Sequence, residues 1–324
     1  MTWLSCLGSA IGNLVALEDA EGIDHASAQR LYEAGQRTIS VAASVDVLLR
    51  QTIERTLGEA DVNSISRVLV VSESALLAAT LHEHQRRRAA LYSLLAEAGL
   101  SRAPVRVLSH GGCASFLTAA ELCGLAAEQE DSAILLIAVE VVPPHSPRVL
   151  PPAVTAIGDG AASCLITASE PDFGWQIGPF AHQGFLETIR PDGASDDFGP
   201  ALISLARALM TLTSNWRIEG RIHDDMALVC SNYPRSTIQM IGHVTGFKTE
   251  ALFMKNVERY AHIGCPDLLI NLADLDGPER DVLLVGNGPG DCCIANARLV
   301  GRRGQPDVRI RRSHAAEVGS ATAH

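Results

Sequence analysis

Cys113 has the sharpest chemical context in this sequence. It sits within Val107-Leu-Ser-His-Gly-Gly-Cys-Ala-Ser-Phe-Leu-Thr-Ala-Ala120, which reads as a strand, two glycines, the cysteine and then a helix of small and apolar residues. The glycines permit a tight turn, and the following helix aims its free N–H groups and positive dipole end at the sulfur. Such a setting favours the thiolate, the form that attacks an acyl carbon. The same pattern also suits a small residue that simply opens a buried helix. Two more glycine-rich segments accompany it: Val282-Leu-Leu-Val-Gly-Asn-Gly-Pro-Gly290, a buried strand running into a turn where backbone can approach a ligand, and Ile157-Gly-Asp-Gly-Ala-Ala-Ser163, a tight turn between apolar runs. The other cysteines (6, 123, 164, 230, 265, 292 and 293) lie in apolar segments without C-x-x-C or zinc spacing, so no metal site is expected.

The elements that must position these residues follow from periodicity. Short β-branched runs alternate with longer amphipathic stretches, which predicts an α/β fold with helices crossing between parallel strands. Strands are expected at Trp3–Leu7, Arg67–Val71, Val105–Leu108, Ala133–Val139, Val154–Ile157, Ala162–Thr167, Trp175–Phe180, Met226–Cys230 and Val282–Gly286. Helices are expected at Ala43–Gly58, Ala75–Gly99, Cys113–Gln129, Pro200–Glu219, Thr237–Gly246, Val257–Tyr260 and Pro266–Asp274. Val68-Leu-Val-Val-Ser72 and Leu228-Val-Cys-Ser231, each preceded by a helix and an acidic turn, echo each other and hint at an internal duplication.

Composition narrows the function classes. With 324 residues of which 47% are hydrophobic, the chain has enough apolar material for a sizeable core. A net charge of −11 and the absence of any reading motif argue against a nucleic-acid partner. No apolar run approaches the ~18 residues of a membrane span. No Lys or Arg precedes the N-terminal apolar segment, so a cytoplasmic, unexported chain is expected. There most of the thiols would be reduced, buried hydrophobes.

Taken together, the three glycine-bearing segments resemble the thiolase superfamily, and within it 3-oxoacyl-acyl carrier protein synthase III (β-ketoacyl synthase III). Cys113-Ala-Ser-Phe116 looks like the family's Cys-Ala-Gly-Phe nucleophile elbow, Gly158-Asp-Gly-Ala-Ala162 like its Gly-Asp-Gly-Ala-Gly turn, and Gly286–Gly290 like its C-terminal glycine-rich loop. The resemblance covers most of residues 1–300. It implies a thiolase-like five-layered α-β-α-β-α fold of two pseudo-repeated halves, 1–169 with the nucleophilic cysteine and 170–300 with a histidine loop and the glycine-rich loop. Residues 301–324, basic and without apolar period, read as a flexible tail. A homodimer, or a heterodimer with a related subunit, is implied as well.

The departures from the family carry the functional reading. Where the family has His-x-x-Asn, this chain has Ser231-Asn-Tyr-Pro234, and where the family has an asparagine in Gly-Asn-Thr-Ser, it has His262 in Ala261-His-Ile-Gly264. The catalytic trio implied by the alignment is therefore Cys113, Ser231 and His262, with Asp267 or Ser231 as the group that orients His262. A condensing enzyme aims two N–H donors at the thioester oxygen where decarboxylation builds an enolate, and losing one such donor costs about 10²–10³ in rate. A histidine beside an acyl-cysteine instead suits general-base activation of a hydroxyl or amine, worth about 10²–10⁴. Pro289 falls where the family's loop lends an N–H to the oxyanion, and proline has none to lend, so Gly288 or Gly290 would have to supply it.

The expected activity is acyl transfer to oxygen or nitrogen in specialised metabolite biosynthesis, from an acyl-CoA or phosphopantetheinyl acyl carrier protein to a small-molecule acceptor, with no tightly bound cofactor. The alternatives are a decarboxylative condensing enzyme and a non-catalytic partner subunit of one. Arg86-Arg-Arg88, on a predicted helix of this acidic chain, is a candidate docking site for the carrier protein, though such runs also form ordinary solvated helix faces.

Overall fold

A computed structural model describes residues 1–58, 60–76, 80–150, 155–186, 198–275 and 281–301. The first part of the chain runs β1 (Thr2–Ile11), β2 (Asn13–Ala16), α1 (His25–Glu33), β3 (Thr38–Val41), α2 (Val45–Leu57), β4 (Ile65–Val71), α3 (Leu81–Glu97), β5 (Val105–Leu108), α4 (Ser115–Glu130), β6 (Ala133–Glu140), β7 (Val149–Leu150), β8 (Thr155–Ala156) and β9 (Gly160–Thr167). The second runs β10 (Phe173–Gly184), α5 (Phe198–Ile218), β11 (Ala227–Cys230), α6 (Arg235–Thr245), α7 (Val257–Tyr260), α8 (Asp267–Ala273), β12 (Asp281–Gly288) and β13 (Asp291–Gly301).

Nine strands form one mixed sheet in the order β11-β12-β13-β10-β1-β9-β6-β4-β5. At its middle β1 pairs antiparallel with β10, Leu4 facing Trp175. Outward from that junction the two sides repeat one plan. β9 is antiparallel to both β1 and β6, and β6 is parallel to β4. On the other side β13 is antiparallel to both β10 and β12, and β12 is parallel to β11. The two echoing segments, 68–72 and 228–231, thus hold the same place in their halves, at β4 and β11.

The layers follow from which faces are apolar. α4 lies between the halves, against β1, β4, β6 and β9 on one side and β10, β12 and β13 on the other, and α8 shares this layer. A helix covered on both sides must be small: Ala119, Ala120, Cys123, Gly124 and Ala127 are all buried, and a Cβ on Gly124 would run into the Thr2 side chain. α2 packs on the outer face of the first half with α3 against it, and α5 on the outer face of the second with α6 against it. β6, Ala-Ile-Leu-Leu-Ile-Ala-Val-Glu, is buried at every position because helices cover both of its faces. Because α4 lies between the two halves of the one sheet, each half forms its own layer, and the order is helix, half-sheet, helix, half-sheet, helix, the five-layered α/β arrangement.

Several boundaries differ from the sequence expectation. The helix expected from Ala75 starts at Leu81, because the Thr80 hydroxyl caps it by accepting from Glu83 N at 3.2 Å. The helix expected from Cys113 starts at Ser115, after a 3₁₀ turn over Gly112–Ala114. α1, the β2–β3 hairpin and β13 form where the sequence pattern predicts no element. Val154 and the basic tail from Arg302 lie outside the described residues.

Candidate active site

The elbow is built by backbone strain held down with carboxylates. His110 and Gly112 both adopt left-handed backbone, at φ 74° and 55°. Glu73, just past β4, accepts from His110 N (3.0 Å), Gly111 N (3.1 Å) and the Ser115 hydroxyl (3.1 Å). Glu73 is itself placed by Glu140 at the end of β6, whose carboxyl accepts from Glu73 N (2.6 Å), Ser74 N (3.0 Å) and Ser74 Oγ (2.7 Å). Burial holds the Glu140 carboxyl above its usual pKa. Two strand ends thereby fix a turn that a free peptide would not keep, and Cys113 emerges from it 7% exposed.

The glycine-rich loop after β12 packs directly on this elbow. A Cβ on Gly112 would come within 2.7 Å of Gly288 Cα and 2.8 Å of Pro289 Cδ, and one on Gly286 within 3.1 Å of Cys113 O. Gly288 lies against Gly111, and the Gly290 carbonyl accepts from Phe185 N at 2.7 Å.

His262 comes from the loop between α7 and α8, and the Gly-Asp-Gly turn holds that loop. His262 N donates to Ala156 O (3.1 Å), and Gly158 N donates to His262 O (2.8 Å). Asp159, fully buried, accepts from Ala42 N and Val142 N, both at 2.8 Å, and forms a bidentate pair with Arg148 at 2.9 and 3.0 Å. The third glycine segment therefore supports the site from behind.

The imidazole bridges two groups. Nε2 stands 3.3 Å from Cys113 Sγ, and Nδ1 stands 2.7 Å from Asp267 Oδ2. Asp267 is fully buried and accepts three further hydrogen bonds, from Asn232 N (2.8 Å), Asn232 Nδ2 (3.0 Å) and Ile263 N (3.0 Å). A carboxylate so placed only accepts, so Nδ1 carries the proton that faces it and Nε2 is left for the sulfur. Burial opposes a charge on His262, but the adjacent Cys113 and Asp267 outweigh it and hold the imidazole well above its usual pKa.

Of the residues singled out from sequence, Cys113, His262 and Asp267 thus meet. Ser231 does not join them. Its hydroxyl is buried just past the end of β11 with no hydrogen-bond partner, and it is the neighbouring Asn232 N that donates to Asp267. Arg86 and Arg88 are exposed on α3, whereas Arg87 is tied to Ala75 O (2.8 Å) and to Glu83.

Sequence reasoning missed Asn232 and Tyr233. The Tyr233 hydroxyl lies 3.8 Å from Cys113 Sγ and accepts from Asn287 Nδ2 at 3.1 Å, and its ring lies 4.7 Å from the imidazole at a 30° tilt. Asn271 extends the support, its Nδ2 donating to Asn232 Oδ1 (3.0 Å) and Cys230 O (2.9 Å). The signal was the stretch after β11 itself, where two hydrogen-bonding side chains follow Ser231. Among the described residues no group of His, Cys, Asp and Glu is arranged to hold a metal, and no helix is long and apolar enough to cross a membrane.

No protein-family model matches the sequence, and no curated protein matches it either. Solved structures do match in shape. ChlB3, an acyltransferase, superposes with a TM-score of 0.76 at 14% identity, over 93% of this chain and 98% of its own. Xanthomonas campestris OleA with bound lauric acid and lauroyl-CoA gives 0.71 at 14% identity, over 92% and 98%. The 3-oxoacyl-[acyl-carrier-protein] synthase III of Aquifex aeolicus VF5 gives 0.69 at 12% identity, over 92% and 100%. The chain has the thiolase-like fold that these proteins share.

Proposed function

We propose that this chain is an acyltransferase that carries an acyl group on Cys113 from a coenzyme A or acyl carrier protein thioester to a small hydroxyl or amine acceptor. The observation that carries this reading is the Cys113–His262–Asp267 line, 3.3 Å and then 2.7 Å. It is the arrangement of a nucleophile, a base and a group that orients the base.

The steps follow from the charges. The Cys113 proton passes to His262 Nε2, where the raised pKa of the imidazole favours holding it beside the sulfur. Cys113 Sγ attacks the thioester carbon, the carbonyl pair moves onto oxygen, and collapse expels the donor thiolate, which takes the proton from His262 Nε2. The sulfur now carries an acyl group and no charge, so one of the two causes that raised His262 is gone while burial remains. The neutral imidazole is then ready to take the acceptor's proton at Nε2 as the acceptor oxygen or nitrogen attacks the acyl carbon. When the second intermediate collapses, the sulfur leaves with the electron pair and the resting state returns.

Two features weigh against condensation: a base stands where a second carbonyl donor is wanted, and Pro289 withholds an N–H from the loop at the elbow. The resemblance of the fold to ChlB3 agrees with acyl transfer, and transfer from carrier thioesters agrees with the synthase III likeness.

Intact-mass measurement after mixing with acyl-CoA or acyl-loaded carrier protein tests the reading. A mass gain equal to the acyl group is expected, lost in Cys113→Ala and released by acceptor. Carbon dioxide evolution from a malonyl thioester would favour condensation, and no adduct from any thioester would leave the chain as a non-catalytic partner subunit.

A further inference from the structure

Acyl transfer through Cys113 places negative charge on the thioester oxygen twice in each turnover, and one loop that packs on the elbow presents proline, without an N–H, at its middle position. We propose that the Tyr233 hydroxyl is a hydrogen-bond donor to that oxyanion, taking the place of the loop amide. This deepens the acyltransferase reading and rests on it.

The geometry makes the hydroxyl a donor aimed at the reacting atoms. Its oxygen stands 3.8 Å from Cys113 Sγ. That is long for a bond to the sulfur itself, but an oxygen on the carbon bonded to that sulfur projects away from it and comes within ordinary hydrogen-bond reach of a donor held there. Asn287 Nδ2 donates to the phenolic oxygen at 3.1 Å, which occupies its acceptor side and leaves its own O–H for the sulfur side. A hydroxyl that accepts one bond while donating another is polarised as a donor. The ring is fixed against the His262 imidazole, 4.7 Å between centroids, so the donor is in place before substrate arrives. The phenol also keeps its proton: burial, with the neighbouring Cys113 and Asp267, holds it well above its usual pKa.

Tyr233 transfers no proton in this role. As Sγ bonds to the thioester carbon, the π pair of the carbonyl moves to oxygen, and the Tyr233 O–H shortens onto it. When the intermediate collapses the pair returns to the C=O bond, the carbon–sulfur bond to the donor breaks, and the donor thiolate leaves with the His262 proton. The same donor serves the second intermediate, formed by the acceptor.

The test compares two reactions of one sulfur. Single-turnover acylation by acetyl-CoA and octanoyl-CoA, read by intact mass, passes through an oxyanion, whereas alkylation by iodoacetamide needs the thiolate and forms none. Tyr233→Phe, which keeps the ring against the imidazole, is expected to slow acylation by about 10²–10³ and leave alkylation unchanged. Asn287→Ala, which leaves the hydroxyl but removes its support, is expected to slow acylation by less and likewise spare alkylation. Acylation of Tyr233→Phe at the unmodified rate overturns the proposal, and so does an equal fall in both reactions, which would make the hydroxyl a partner of the sulfur alone. If the unmodified protein is alkylated at Cys113 but accepts an acyl group from no coenzyme A or acyl carrier protein thioester, the acyltransferase reading fails, and this inference with it.

Discussion

His262 is the residue on which the most depends, because its proton belongs to two processes. It is raised above about 6.5, the usual imidazole value. Between that value and its raised folded pKa, the native state binds a proton that the unfolded chain does not, so stability is present in full below about pH 6.5 and falls as pH rises through the folded pKa. His262→Asn removes this contribution. The denaturation midpoint of the unmodified protein is therefore expected to decline from pH 6.5 upward more steeply than that of His262→Asn, and parallel curves would show that the Cys113–His262 pair takes up no net proton on folding. At pH 7 the same variant is expected to lose about 10²–10⁴ in acyl transfer to the acceptor, the worth of a general base. Ser231 shows the limit of reading such roles one residue at a time. The sequence puts it beside the strand end, but a strand alternates its faces, and the side chains that reach the site are those of Asn232 and Tyr233, past the end of β11 where the backbone turns.

At the scale of elements, the elbow and the glycine-rich loop have to be considered as one unit, since each leaves space for the other. Gly112 combines a left-handed φ of 55° with a Cβ position 2.7 Å from Gly288 Cα. Alanine there meets both strain and a backbone clash, with cost of order 1–3 kcal/mol for the backbone conformation alone. Gly112→Ala is expected to lower the thermal midpoint and, in whatever fraction stays folded, to displace Cys113 from His262 and slow iodoacetamide alkylation. A folded variant with unchanged alkylation would mean that the loop can yield. The glycine motifs were legible in sequence because a glycine that must accept close backbone leaves a mark at a single position. β13 was not, since Asp291-Cys-Cys-Ile-Ala-Asn-Ala-Arg alternates poorly: buried on both faces along its first half, it has no polar side to give a period. α1 leaves no apolar period because it is short and mostly polar, and what marks its start is the Asp24 cap, which accepts from Ser27 N at 2.8 Å. Cys293 makes the opposite point. It also approaches an imidazole, 3.6 Å from His182 Nε2, but that nitrogen is engaged by Glu121 at 2.7 Å and burial pushes the thiol far up, so proximity to histidine alone makes no nucleophile.

For the whole molecule, the consequence of the duplicated plan is that neither half holds a complete site. Cys113 and its carboxylate brace come from the first half, while His262, Asp267, Asn232, Tyr233 and Asn287 come from the second. The Arg148–Asp159 pair stands at the seam, because Asp159 ties the ends of β3 and β6 to the turn whose Gly158 holds the His262 backbone. Its side chains are 11% and 1% exposed, so removing one partner leaves a charge that water cannot reach. Breaking such a pair costs about 3–5 kcal/mol, although the two backbone N–H donors left on Asp159 would offset part of it. Arg148→Met is thus expected to lower the unfolding free energy by a few kcal/mol at neutral pH in urea titration, and to lose acyl transfer faster than bulk helicity as denaturant rises, because the seam and the His262 loop give way before the outer helices. Coincident loss of activity and helicity would instead make the two halves a single cooperative unit, with the ion pair only one of many contacts between them.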